Sequence, residues 1–258
     1  MALGGWIGSL FGGPLGAVFG AALGHQVEKR CRRGSPVARR RMSGAAAPLS
    51  ASRRAIVFCA SAAAMLAKMA KADGRISANE IAGVEQAFAR LGFSARAREY
   101  AIGVFRQAKD DPHTIFEYAD EFAEAVESVE VRELFYEILW DIACADGTVL
   151  ESERRLLRQM PRALRIRAEW YAFFANQRLS ARRAETPRDE LMAAYALLDA
   201  TPDDTPDALK RKYRLLAKKN HPDVLRAQGL PDELIGKATE RMGRINEAWT
   251  AIRSARGI

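Results

Sequence analysis

The sequence predicts an all-α protein in three parts: an N-terminal transmembrane helix, a helical bundle and a C-terminal helical hairpin. Three observations carry this reading. Residues 1–24 contain no charged side chain. Residues 52–176 are rich in alanine and place apolar residues at helical spacing, with few strand signals. Residues 207–252 pair a basic amphipathic helix with a second long helix that carries its own apolar stripe. The boundaries read as 1–25 for the transmembrane helix, 26–51 for a basic juxtamembrane linker, 52–176 for the bundle, 177–188 for a second linker and 189–258 for the C-terminal unit.

Composition narrows the class. The chain has 258 residues, 48% hydrophobic and 28% charged, which excludes a disordered polyelectrolyte. A mean hydropathy of -0.20 excludes a polytopic membrane protein. Cys31, Cys59 and Cys144 are odd in number and far apart, so they form neither a disulfide framework nor a paired zinc motif. The formal net charge of +8 would suggest nucleic acid or an acidic surface if it were spread evenly. It is not. Residues 25–54 hold Lys29, Arg30, Arg32, Arg33, Arg39, Arg40, Arg41, Arg53 and Arg54 against Glu28 alone, and from position 55 onward 31 basic residues balance 31 acidic ones. The whole excess follows directly on the uncharged segment, which points to a membrane surface.

The first element runs from Leu3 to Gly24. As a helix it spans roughly 33 Å, enough for a hydrocarbon core of about 30 Å. Gly4, Gly8, Gly12, Gly16, Gly20 and Gly24 recur at every fourth position and build one groove without side chains. Faces of this kind let two transmembrane helices approach closely, so a homodimer through the anchor is expected. Pro14 weakens a soluble helix but is tolerated in a spanning one. A flexible glycine-rich tail is the plain alternative. A secretory signal would need its charge before the apolar run, and here the charge comes after it. The positive-inside rule places the N-terminus outside and everything after Arg30 in the cytoplasm. The linker, with its Gly, Ser and Pro residues, reads as a tether near anionic headgroups.

The bundle begins with the stripe Ile56, Cys59, Ala60 and Ala63, continues with Phe88 and Leu91, and includes Leu134, Ile138, Ile142 and Ala145. Breaks are expected at Asp73-Gly74, Gly92, Asp110-Asp111-Pro112, Asp146-Gly147 and Pro161, giving six or so helices. An internal repeat aligns Ala72-Asp73-Gly74-Arg75-Ile76 through Glu80 with Ala145-Asp146-Gly147-Thr148-Val149 through Glu153. One reading is a tight helix–helix turn in which the Glu opens the next helix. The other is that Asp73, Glu80, Asp146 and Glu153 gather a divalent cation, although the loop lacks the ligand pattern of an EF-hand. On these paired turns the segment resembles the TerB-like helical family over most of residues 52–176. That resemblance implies an interaction or sensing module, with a metal as a possible ligand and no established catalysis. Residues 110–153 also hold 14 acidic side chains against Arg132 alone. Such a face is either solvated or a docking surface.

In the C-terminal unit a short helix from Glu190 to Leu198 presents Leu191, Tyr195 and Leu198. The next helix, Asp207 to Lys219, carries Leu209, Tyr213 and Leu216 on one face and Lys210, Arg214 and Lys218 on another, with Arg211, Lys212 and Lys219 alongside. It should stop by His221, because the residue before proline is pushed out of the helical region. Asp223 is then expected on a loop. A second long helix starts near Pro231, with Ile235, Ala238, Met242, Ile245, Trp249 and Ile252 at steps of three and four, and returns antiparallel. The helix face could bind nucleic acid, but one side is apolar, the unit from Pro187 is nearly neutral and no base-stacking aromatics line the basic face. No nucleic-acid partner is expected. His221 could also be a plain capping residue.

The runs Tyr195 to Leu198, LKRKYRLLAKKNHPDV (209–224) and INEAW (245–249) resemble the J-domain of the DnaJ co-chaperone family. That resemblance implies that His221, Pro222 and Asp223 form the essential loop and that Lys210, Arg211, Arg214, Lys218 and Lys219 face an acidic groove on a DnaK-type chaperone. It also implies that Asp223 engages an arginine there and favours the ATP-hydrolysing conformation. Asp199 departs from the glycine usual after the first helix, and Asn220 replaces the usual aromatic or histidine and should be peripheral. Taken whole, and with HPDVLRAQGLPDEL (221–234) as a further match, the chain resembles the DjlA-type family of membrane-anchored DnaJ-like co-chaperones of Gram-negative bacteria.

The resemblance implies a single-span protein of the bacterial inner membrane with its soluble domains in the cytoplasm, recruiting a DnaK-type chaperone to membrane-proximal clients that the sequence does not name. It is expected to be a co-chaperone and not an enzyme, without a cofactor unless the bundle holds a divalent cation; no glycine-rich phosphate loop precedes a helix. The alternative is an envelope-stress signalling or metal-sensing adaptor that works through the TerB-like domain.

Overall fold

The computed structural model describes residues 51–71, 78–144, 149–179 and 186–258. Among them all regular structure is helical. The first helix, α1 (Ala51–Lys71), is the centre of the bundle: from Phe58 to Ala67 every side chain is buried. Seven of those ten positions are small (Cys59, Ala60, Ser61, Ala62, Ala63, Ala64 and Ala67), which lets neighbouring helices approach on all sides. Around it pack α2 (Ala78–Arg90), α3 (Ala95–Ala108), α4 (Ile115–Ala125), α5 (Val129–Ala143) and α6 (Glu151–Ala163), with α7 (Glu169–Leu179) closing the unit against α6.

Local chemistry sets the helix ends. Gly92, at φ +85°, follows α2 in the left-handed conformation that suits a residue without Cβ. Ser94, Thr114 and Ser128 cap α3, α4 and α5 by accepting the N–H of Ala97, Glu117 and Val131. Glu117 completes a capping box by accepting the Thr114 N–H at 2.7 Å. In the core, the rings of Phe122 and Phe135 stack at 4.1 Å, and Phe58 meets both edge-on.

One expected break is absent. Pro161 lies inside α6 instead of ending it. Proline cannot donate to the carbonyl of Leu157, four residues back. The hydroxyl of Tyr136, on α5, donates to that carbonyl at 2.8 Å and supplies the missing bond. The helix therefore continues to Ala163.

The C-terminal unit comprises α8 (Pro187–Leu197), α9 (Pro206–Lys219), α10 (Pro222–Ala227), a 3-10 turn (Asp232–Leu234) and α11 (Ile235–Arg256). Asp199 sits at φ +52° after α8, so the turn keeps the left-handed conformation that glycine would favour; aspartate is among the residues that tolerate it. The helices α9 and α11 run antiparallel. Tyr213 stacks on Trp249 at 5.0 Å and 7°, while at the other end the Arg256 guanidinium donates to the Asp204 carbonyl at 2.6 Å. Tyr195, Leu198, Leu209, Leu225, Leu230, Leu234, Ala238, Ile245 and Ile252 form the buried centre. This unit packs against the bundle along α5, and Glu233 lies beside Gly92.

Candidate functional site

The basic helix α9 is built to start and stop sharply. Thr205 accepts the Ala208 N–H, Pro206 occupies the first turn with Asp207, and Lys218 and Lys219 sit at the negative end of the helix dipole. Its cations do not all share one fate. Lys210, Arg211, Arg214 and Lys218 are exposed, and none of them forms an ion pair among the described residues. Lys212 is half-buried and donates to Asp204 at 2.7 Å. That bond, with the Thr201 N–H, holds the Asp204 carboxyl below its ordinary range. Lys219 lies 3.2 Å from Glu130 of α5.

After α9 comes Asn220, which is fully buried and not peripheral as the sequence reading had it. Its side-chain amide and its backbone N–H both donate to the Leu216 carbonyl, at 3.0 and 2.9 Å, which ties the residue to the last turn of α9.

The next three residues also correct the expectation of a loop. His221 is extended at φ -62° and ψ 132°, as a residue before proline prefers, and Pro222 opens α10 where its missing N–H costs nothing. His221 Nδ1 accepts the Asp223 N–H at 3.3 Å, so the histidine does cap a helix. Asp223 stands in the first turn of α10 with a carboxylate 74% exposed, and Arg226 reaches it at 3.5 Å. Four free cations spread over two turns of α9 thus lead to an exposed carboxylate at the start of α10. Such a surface can meet an acidic partner and offer it one directional, charge-assisted bond.

The other predicted sites fare differently. Gly4, Gly8, Gly12, Gly16, Gly20 and Gly24 lie outside the described residues, and among the described ones no helix is long and apolar enough to cross a membrane. Asp73, Asp146 and the Glu80 side chain also lie outside them. Glu153 accepts the Leu150 N–H at 2.9 Å at the start of α6, which is the helix-opening role of the turn reading. No group of three metal-ligating side chains gathers among the described residues.

The acidic face is where sequence reasoning fell short. Glu130, Glu133, Glu137 and Asp141 follow one another along α5 at steps of three, four and four. Glu133 and Glu137 are buried, against cations of both the bundle and the C-terminal unit. The spacing was a readable signal for one helix face; its partner was not.

Comparison with known proteins agrees with this anatomy. Residues 60–174 match the family described as tellurite resistance protein TerB, and residues 2–46 match the family described as co-chaperone DjlA transmembrane domain. The co-chaperone protein DjlA of Photobacterium profundum is 31% identical over 99% of this chain and 98% of its own length. Its counterpart in Coxiella burnetii is 32% identical over 74% of each chain, and that of Vibrio cholerae 31% identical over 92% of this chain and 90% of its own. No solved structure matches. With a TerB-type helical domain behind the transmembrane domain of that family, and similarity running the length of the chain, this protein belongs to the membrane-anchored DjlA co-chaperones.

Proposed function

We propose that the chain is an inner-membrane J-domain co-chaperone that stimulates ATP hydrolysis by a DnaK-type chaperone and brings it to clients near the membrane. The observation that carries this is the exposed Asp223 carboxylate at the head of α10, just past the end of the helix that carries the free cations. Lys210, Arg211, Arg214 and Lys218 steer the encounter with an acidic groove, Lys219 joins them at the rim, and His221 and Pro222 hold Asp223 in place. Asp223 makes the directional bond, to an arginine of the partner, that favours hydrolysis there. The protein itself binds no nucleotide in this scheme and catalyses nothing. The glycine ridge of the first 24 residues pairs two anchors, with the N-terminus outside and both soluble units in the cytoplasm.

The test uses the full chain in lipid nanodiscs and a DnaK-type chaperone in single-turnover ATP hydrolysis. Asp223→Asn keeps the size of the side chain, removes its charge and should abolish stimulation while leaving the thermal melt unchanged. Equal stimulation by wild type and variant would overturn the reading.

A further inference from the structure

The acidic face of α5 is occupied by the chain's own C-terminal unit. Arg241, on α11, is 2% exposed, and its Nη2 donates to Glu133 Oε2 at 2.8 Å; the Glu133 side chain is 6% exposed. Trp170 lies beneath that guanidinium at 4.9 Å, and Arg167 covers the same ring at 4.6 Å while its Nε donates to the other Glu133 oxygen at 3.4 Å. One turn along, Arg244 of α11 donates to the buried Glu137. One turn further, Lys237 reaches Asp141 at 3.3 Å, and Arg178 of α7 donates to the same carboxylate at 2.5 Å. Partial burial pulls the Lys237 ammonium toward neutrality, but Glu240 and Asp141 more than offset this and hold its pKa above the ordinary value. The rim is polar: Ser128 donates to Gln228 at 2.7 Å, and Arg167 reaches Asp199 at 3.3 Å.

The arrangement is specific where it is buried. A planar guanidinium that donates through Nη2 to one buried carboxylate, stands 3.8 Å from a second through Nη1 and lies over one indole ring is oriented more narrowly than a pairing of solvated point charges. Apart from the Lys219–Glu130 pair it engages α11, and it leaves Lys210, Arg211, Arg214 and Lys218 of α9, and His221 and Asp223, exposed.

We propose that the acidic face of α5 is a docking site for the C-terminal unit, that Arg241 is its positioning residue, and that docking holds the surface around Asp223 in one fixed direction relative to the helical bundle. A chaperone recruited there would then stand at a defined place beside the membrane-tethered domain. This last step rests on the co-chaperone reading; the docking itself does not.

The experiment measures distance, with the full chain in nanodiscs, its native cysteines replaced by alanine and the labelled copy diluted in an excess of unlabelled chain, so that paired anchors add no distances between copies. Spin labels at Glu85→Cys on α2 and Arg253→Cys on α11 report the spacing of the two units. The wild-type arrangement should give one narrow distribution. Arg241→Ala, and from the opposite side the isosteric Glu133→Gln, should each at least double its width while keeping the helical circular dichroism. Arg241→Lys, which keeps the charge but loses the planar group over Trp170, should fall between. Asp223→Asn should remain narrow, so failure of the co-chaperone reading leaves this arm intact. A second pair, with one label on α2 and one on the bound DnaK-type chaperone, should broaden in the same two variants. A broad wild-type distribution, or narrow ones in both Arg241→Ala and Glu133→Gln, would overturn the docking; a narrow second pair in those variants would overturn its positioning role.

Discussion

Helices α9 and α11 stand side by side in the C-terminal unit, and both carry cations at helical spacing, yet their charges do opposite work. Lys210, Arg214 and Lys218 of α9 are exposed and unpaired among the described residues. Lys237, Arg241 and Arg244 of α11 face the carboxylates of α5, and Arg241 is buried there. Water screens the first set, so it contributes little to stability and is available to a partner. Arg241 in the second set has lost its water and depends on its counter-charges, while Lys237 and Arg244 are only part-buried. The difference lies in the surface each helix meets. A row of basic residues on a helix is therefore no evidence of a binding face until its surroundings are known.

The largest effect should come from breaking the buried set. Truncating one member of a desolvated pair leaves the other charge without water or partner, at a cost of about 3–5 kcal/mol. Glu133→Ala removes the hydrogen-bonded partner of Arg241, which keeps only Glu137 at 3.8 Å, and frees one side of Arg167. The full chain should lose stability in that range, seen as a lower midpoint in a urea titration followed by tryptophan fluorescence. A loss below about 1 kcal/mol, the range of surface pairs, would make the two helices alike and dissolve the contrast.

The exposed set should behave the other way round. Reversing Lys210, Arg214 and Lys218 to glutamate together should raise the concentration of DnaK-type chaperone needed for half-maximal stimulation at least tenfold, about 1.4 kcal/mol in binding. The same triple change should leave the urea midpoint within about 0.5 kcal/mol of wild type, because none of the three side chains holds the fold together. A large loss of stability with little loss of stimulation would exchange the roles assigned to α9 and α11.

What the sequence revealed follows the same division. The exposed surface was legible because its determinants are local: four-residue steps of Lys and Arg, a proline after His221, and an apolar stripe of Leu209, Tyr213 and Leu216 that fixes which side is free. The helical class of the bundle was legible for a similar reason. The buried pairing was not, because Glu133 and Arg241 are 108 residues apart and each looks solvated in its own helix. Pro161 misled for the same physical cause: the bond that lets α6 continue comes from Tyr136 on another helix. Asn220 looked peripheral because its buried contact with the Leu216 carbonyl depends on how α9 ends, a matter of geometry and not of composition. Local periodicity shows which groups a helix offers. It does not show which of them a distant segment will cover.

The smallest effect belongs to the pair that stands between the two sets. Lys219 is on the basic helix α9 but reaches Glu130 on α5 at 3.2 Å, with its own side chain 52% exposed and that of Glu130 only 14%. Half its environment is water, so the pair should behave as a surface bridge, with a coupling of about 0.2–1 kcal/mol in a double-mutant cycle of Lys219→Ala and Glu130→Ala. Raising the ionic strength from about 0.1 M to 1 M shortens the screening length from about 10 Å to 3 Å and should erase most of that coupling. The Arg241–Glu133 coupling, shielded from ions, should survive the same change. If the Lys219 coupling instead exceeded about 1 kcal/mol and resisted salt, Lys219 would belong to the buried set. A chaperone would then have to detach it before using it, and the boundary between the two surfaces would move one turn into α9.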